Sequence, residues 1–130
     1  MPYTYHWPIR SGDTDFSGLV YTPAVIDCVV EAVQALLEDI DYDPQTAMED
    51  DILYPAAHAE ADYLGEISIG DQVAVEITPD IGTTSVTFEA LGTLDTVVFE
   101  SELTLVFVDT DSKEPQPVPD DVAEALSTYA

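Results

Sequence analysis

The sequence predicts an α+β fold in which an antiparallel sheet of about five strands wraps around one long central helix. Three observations carry this prediction. The segment from Val25 to Asp39 has the period of a helix, whereas four later segments have the two-residue period of half-buried strands. An aromatic-rich N-terminal segment supplies the remaining strand. Short connections between the later strands favour hairpins, and therefore antiparallel pairing.

The first strand is predicted at residues 3–10, and a helix follows it. Thr22 fits the helix N-cap and Pro23 the first helical position. The polar residues of the helix recur at spacings of four, three and four: Asp27, Glu31, Gln34 and Glu38. Because apolar side chains occupy the remaining circumference, this helix is expected to be buried on most sides.

The chain then continues through a polar loop, residues 39–51, into the strands. The alternating segments are residues 57–63, 73–77, 84–89 and 99–107. In the first of these, one face carries Ala57, Ala59, Ala61 and Tyr63, and the other carries His58, Glu60 and Asp62. The tail contains an extended proline-rich stretch, residues 115–119, and Asp120 is predicted to cap a short helix ending near Leu126.

The whole chain, residues 1–130, is predicted to be one domain without internal repeats. One helix does not shield both faces and both edges of five strands. We therefore expect association through a strand edge or the helix end, as a homodimer or homotetramer.

The charge is extreme: 27 acidic residues against Arg10 and Lys113 give a formal net charge of -25. Self-repulsion of this size should oppose compaction in dilute buffer, and molar salt should screen it. Such a surface is typical of proteins from extreme halophiles; a polyanionic mimic or a cation buffer is the alternative. Nucleic acid and anionic membranes are not expected partners. No signal peptide is visible in residues 1–7, which favours a cytoplasmic protein.

The single Cys28 excludes an internal disulfide, and its apolar neighbours predict burial. The two histidines, His6 and His58, are far apart in sequence and lack the spacing of a zinc site. No metal or cofactor is therefore predicted.

An acidic turn, residues 13–18, immediately precedes the helix. It could be a simple turn, since Asp and Ser favour turns. It also matches part of a calcium-binding EF-hand loop, but Ala24 stands where a bidentate Glu is required. The third interpretation is catalytic, because a carboxylate beside the free amides of a helix N-terminus suits attack on a carbonyl group.

This turn resembles the N-terminal signature of hotdog-fold acyl-CoA thioesterases of the 4-hydroxybenzoyl-CoA thioesterase type. The resemblance runs from Arg10 to Pro23 and continues from Ala59 to Asp71 and from Ile81 to Phe88. Residues 106–109 and 119–122 fit as well. The resemblance implies a hotdog fold, an acyl-CoA substrate and thioester hydrolysis without a cofactor.

By position, the resemblance assigns the catalytic carboxylate to Asp15, acting as nucleophile or as general base. It places the oxyanion at backbone amides near Tyr21 and Thr22, and Gly18 allows the tight turn. Many relatives have Gly-His-Val where this chain has Leu19 in the central position, so Asp15 is expected to act without that histidine.

The implied substrate-binding residues lie further along the chain. His58 is expected at a pocket wall, or alternatively on the surface or at a dimer contact. The coenzyme A contacts are assigned to Gly82, Thr83, Thr84 and Ser85. Thr83 replaces the basic residue common in the family, which favours recognition through pantetheine and the acyl group. Glu31 belongs to the polar stripe and is expected to be solvated or to lie at an interface, although some hotdog enzymes use a carboxylate on the central helix.

Two other functions compete with hydrolysis. A hotdog hydratase or dehydratase would normally combine a histidine with its carboxylate. A non-catalytic acyl-thioester-binding domain would keep the fold without turnover. The sequence contains no serine-hydrolase elbow and no phosphate-binding glycine-rich loop.

Overall fold

The computed structural model describes all 130 residues, and it has the α+β arrangement expected from the sequence. A five-stranded antiparallel sheet with the strand order β1-β4-β5-β6-β3 wraps around α1. The elements are β1 (Tyr3–Pro8), a short 3-10 helix (Ser11–Asp13), α1 (Thr22–Asp39), α2 (Pro44–Glu49), β2 (Ile52–Leu53), β3 (Ala56–Tyr63), β4 (Gln72–Ile81), β5 (Ser85–Thr93), β6 (Val97–Val106), β7 (Val108–Asp109) and α3 (Asp120–Ser127).

Helix α1 is buried along most of its length, as its narrow polar stripe predicts. Its buried residues are Ala24, Val25, Cys28, Val29, Ala32, Val33, Leu36 and Leu37. Burial is the main reason why the pKa of the Cys28 thiol is raised to about 12. The cysteine is therefore a packing residue, as expected.

The sheet has one apolar face and one polar face because its side chains alternate. Val73, Val75 and Ile77 of β4 are buried on the same face as Phe88 of β5 and Leu103 of β6. This face packs on α1 and forms the core. No helix of the chain is long and apolar enough to cross a membrane.

Both predicted helix caps are wrong by one residue. Tyr21 occupies the N-cap of α1, so that Thr22 is the first helical residue and Pro23 the second. Pro119 occupies the N-cap of α3, and Asp120 is already helical. Neither N-cap side chain makes a capping hydrogen bond, so the sequence preference for a polar cap did not locate these ends.

The predicted loop between residues 39 and 51 is also wrong, because it contains α2. Asp43 caps this helix through its Oδ1 atom, which accepts a hydrogen bond from the Thr46 N–H at 2.8 Å. The first strand is shorter than predicted and ends at Pro8. The two-residue ladder between β2 and β7 was not predicted.

The largest departure concerns β3. The predicted alternation holds from His58 to Tyr63, where Ala59 pairs with the buried Leu103, but a shift in register between Ala56 and His58 breaks it at Ala57. The alternating side is also less buried than in a half-buried strand, since Ala57, Ala59 and Tyr63 are exposed and Ala61 is only half-buried. Since β3 is the edge strand, however, its helix-facing side extends beyond the cover of α1.

Candidate active site

The acidic turn forms a closed loop at the start of α1. The Asp15 N–H donates to the Leu19 carbonyl at 2.9 Å, and the Gly18 N–H donates to the Asp15 carbonyl at 3.1 Å. Gly18 has a φ of 82°, which favours glycine over residues with a side chain. The Ile69 N–H donates to the Gly18 carbonyl and fastens this loop to the segment before β4.

The Asp15 carboxylate is the outward-facing acid of this loop. It accepts hydrogen bonds from the Ser17 hydroxyl and from the Ser17 N–H, the latter at 2.8 Å. These bonds lower the pKa of Asp15, the hydroxyl contributing most. The side chain is therefore an exposed, ionised carboxylate at neutral pH.

Asp13, two residues earlier, has a different environment. Its Oδ2 atom accepts from the Arg10 N–H at 2.9 Å, and its carbonyl accepts from the Tyr21 N–H at 2.8 Å. Asp13 thus ties the turn to the helix start, while Asp15 remains accessible.

The backbone amides at the start of α1 are not equivalent. The Tyr21 N–H is engaged by Asp13, and Pro23 has no N–H. The Thr22 N–H makes none of the backbone hydrogen bonds of this turn. Of the two amides assigned to the oxyanion, only that of Thr22 is free in this arrangement, at the positive end of an 18-residue helix.

Exposed apolar side chains surround the turn. They are Phe16, Leu19, Tyr21, Tyr63, Leu64 and Ile69. The Tyr63 hydroxyl donates to the Thr22 carbonyl, which ties the end of β3 to the helix start. Neither of the two main hollows of the chain is lined by Asp15. In the single chain, the turn therefore lies on the surface outside these hollows.

The other predicted site residues lie at the opposite end of the sheet. His58 is five residues before Tyr63 on β3, or about 17 Å at the usual rise of a strand. The turn with Gly82, Thr83, Thr84 and Ser85 lies at the same end, since Ser85 pairs with Val106 and Ala56 with Leu105. The chain alone does not bring these residues to Asp15.

Three further residues bear on this region: Glu31, Ser17 and Tyr63. Glu31 is exposed and accepts a hydrogen bond from the Tyr5 hydroxyl at 3.4 Å, in agreement with a solvated role. Ser17 and Tyr63 were not predicted as site residues. The spacing of Ser17, two residues after an aspartate, is a signal for its contact with Asp15. The contact of Tyr63 with Thr22 joins residues 41 positions apart, so no local pattern indicates it.

A central helix wrapped by an antiparallel sheet, with a carboxylate turn at the helix start, is the architecture of the hotdog-fold thioesterase class. The chain belongs to the thioesterase-like superfamily, which matches residues 9–126. The predicted fold and the predicted class of enzyme are thereby confirmed.

Several known proteins are similar over almost the whole chain. The 1,4-dihydroxy-2-naphthoyl-CoA hydrolase of Nostoc punctiforme is 29% identical over 98% of this chain and 88% of its own length. The structure of a 1,4-dihydroxy-2-naphthoyl-CoA thioesterase from Synechocystis superposes with a TM-score of 0.90 and 19% identity, covering 98% of this chain and 96% of that one. A Staphylococcus aureus protein in complex with CoA gives a TM-score of 0.91 and 13% identity, covering 99% and 84%.

Proposed function

We propose that this protein hydrolyses an acyl-CoA thioester, with Asp15 as the catalytic carboxylate. The observation that carries the proposal is the position of an ionised, exposed Asp15 in a turn that leads directly into the start of α1. Membership of the thioesterase-like superfamily supports it. The hydrolase name of the Nostoc relative, similar over 98% of this chain, supports coenzyme A as the carrier.

The position of Asp15 next to the start of α1 favours attack on a thioester carbonyl at this point. Asp15 either attacks the thioester carbonyl carbon or removes a proton from a water molecule that attacks it. The negative charge that develops on the carbonyl oxygen is stabilised by the Thr22 N–H and the helix dipole. In the general-base route, the water oxygen bonds to the carbonyl carbon, the carbon–sulfur bond breaks, and the proton taken up by Asp15 passes to the leaving thiolate. In the nucleophilic route, the same bond breaks to leave an Asp15–acyl anhydride and a thiolate that is protonated from solvent. A water molecule then hydrolyses the anhydride to the free acid, restores the carboxylate and returns the proton.

We infer that a second copy of the chain completes the site. The outer edge of β3 has no partner strand, and its helix-facing alanines are exposed. Antiparallel pairing of two β3 edges, with their midpoints together, would place the start of one β3 beside the end of the other. The residues from Gly82 to Ser85 of one chain would then lie near the Asp15 turn of the second chain. The expected role of His58 at a pocket wall does not fit this pairing, because its side chain lies beside Glu60 on the sheet face turned away from α1.

The single chain also contains a candidate acyl pocket. A hollow of about 430 Å³ lies near the start of β3, between α2, β2 and β7. Its walls include Ile52, Tyr54 and Val108, and Lys113 stands among them. A volume in this range suits a ring system buried among apolar side chains. We therefore assign the acyl group to this hollow. The aromatic acyl group in the name of the Nostoc hydrolase favours an aromatic acyl-CoA as the substrate.

The experiment measures thiol release from aromatic and aliphatic acyl-CoA substrates in molar salt. Asp15→Asn should lower kcat by at least about a hundredfold, in the range typical for loss of a general base or nucleophile. Asp13→Asn is the matched control, because it removes the same charge from the same turn but leaves Asp15 intact. An Asp15→Asn enzyme as active as the parent would contradict the mechanism. Tight binding of acyl-CoA without thiol release would indicate a binding domain.

A further inference from the structure

The face of the sheet that is turned away from α1 carries a second feature, unrelated to the acidic turn. It forms an open hollow of about 400 Å³ whose walls are mostly carboxylates. The acidic residues are Glu60, Asp62, Glu76, Glu89, Glu100 and Glu102. No lysine or arginine lines it.

The strand register brings three of these acids into one row. Glu102 of β6 pairs directly with Glu60 of β3 on one side and with Glu89 of β5 on the other. Like charges directly opposite each other destabilise a sheet. A cation bound between Glu60 and Glu102 would offset the repulsion that this strand pairing creates.

His58 adds a ring nitrogen to this row of carboxylate oxygens. Its Nε2 atom lies 3.4 Å from Oε2 of Glu60, and the donor atoms of His58, Glu60 and Glu102 all lie within 4.8 Å of one another. Ligands bonded at the zinc distances of about 2.0–2.2 Å in a tetrahedron are about 3.4 Å apart. The imidazole and the nearer carboxylate already have that separation.

We propose that His58, Glu60 and Glu102 bind one divalent transition-metal ion, with Zn²⁺ as the best match. One neutral imidazole nitrogen and two carboxylate oxygens are ligands that zinc accepts, and water would fill the open position. The nitrogen ligand disfavours Mg²⁺ and Ca²⁺, which prefer oxygen. The ion would bridge the edge strand β3 to β6 and neutralise the Glu60–Glu102 pair.

The sequence argued against zinc because His6 and His58 are far apart and there is a single cysteine. Spacing along the sequence indicates only ligands that lie close together in the chain. Glu102 is 42 positions from Glu60 and reaches it only through the pairing of β3 with β6.

The test is equilibrium dialysis of the chelator-treated full chain against Zn²⁺ in a high-salt buffer. We expect one Zn²⁺ per chain and an increase in thermal stability. Because loss of an outer-shell partner alone costs 10–100-fold in affinity, His58→Asn and Glu102→Gln should each weaken binding by at least about tenfold. Glu76→Gln is the matched control, since it removes the same charge as Glu102→Gln from the same hollow, away from the three ligands.

His58→Asn separates a built site from simple attraction of cations. It leaves every carboxylate in place, so a counterion cloud would keep its zinc while the proposed site would lose it. Unchanged binding by His58→Asn, equal weakening by Glu76→Gln and Glu102→Gln, Mg²⁺ bound as tightly as Zn²⁺, or no zinc uptake by the unmodified chain would each overturn the proposal. Circular dichroism of each variant confirms that the sheet is intact.

Discussion

At the scale of single residues, the two acids of the turn have separate tasks because they have different hydrogen-bond partners. The Asp13 carboxylate accepts a hydrogen bond from the Arg10 N–H and so holds the backbone of the turn in place. Asp15 is engaged by Ser17, which stabilises the charged form without hiding it from solvent. A carboxylate that stays ionised and accessible is the form required of a nucleophile or a general base.

Replacing Ser17 should therefore alter the pH dependence of the reaction. Ser17→Ala removes the hydroxyl that contributes most to the lowered pKa of Asp15, so this pKa should rise. Activity that needs the carboxylate is lost as the pH falls through this pKa. The acid limb of the profile of kcat/KM against pH should consequently move to higher pH, while kcat/KM at neutral pH should change little.

Ser11→Ala is the control for this prediction, because Ser11 lies in the same segment and its side chain makes no hydrogen bond to Asp15. An acid limb that does not move in Ser17→Ala would mean that another group governs the profile.

At the scale of elements, the sequence predicts what local spacing determines. The polar stripe of α1 and the alternation of β4, β5 and β6 follow from periodicity, and each prediction agrees with the structure. Helix α2 was missed because six residues are too few to show a period, although Asp43 and Pro44 are an N-cap and a first-turn signal.

Local sequence patterns did not predict that β3 lies at the edge of the sheet. Its alternation resembles that of a half-buried strand, yet strand order decides whether a helix covers it. For the same reason, the sequence offered the two groups of site residues as one site. Pairing between distant strands places the two groups at opposite ends of the sheet.

The exposed side of β3 allows a test of the proposed pairing between two chains. Ala59→Glu places a carboxylate on the helix-facing side of the edge, where a single chain leaves it in solvent but a partner would bury it. Since an unpaired buried charge is costly, we expect the dimer to dissociate and kcat/KM to fall by about tenfold or more, a loss of about 1.4 kcal/mol.

Multi-angle light scattering in molar salt, together with thiol release, measures both effects. Ser127→Glu adds the same charge on α3 and should leave both properties unchanged, because Ser127 lies at the C-terminal end of α3, away from β3. A fully active monomer, or an Ala59→Glu dimer with normal activity, would contradict the composite site.

At the scale of the whole molecule, the charged side chains form almost no salt bridges. The one contact within 4.0 Å between a basic side chain and a carboxylate joins Nε2 of His58 to Oε2 of Glu60, and neither Arg10 nor Lys113 forms a salt bridge. In an ordinary protein, salt weakens ion pairs while it screens repulsion, and the two effects oppose each other. Here the first effect is almost absent, so screening should act with little opposition.

Stability should therefore rise with salt concentration. Between 0.1 M and 1 M the Debye length falls from about 10 Å to about 3 Å, which removes most repulsion between carboxylates on different strands. We expect the urea midpoint, followed by circular dichroism, to increase over this range of potassium chloride and to level off above it. Urea is the suitable denaturant because guanidinium chloride would itself screen the charges.

Sucrose is the control, since it stabilises proteins by exclusion from their surface without screening charge. If repulsion dominates, potassium chloride should raise the midpoint far more than sucrose does. Equal midpoints in dilute and molar potassium chloride would show that the carboxylates are too well solvated to oppose folding. The net charge of -25 would then have to be explained by a partner rather than by the solvent.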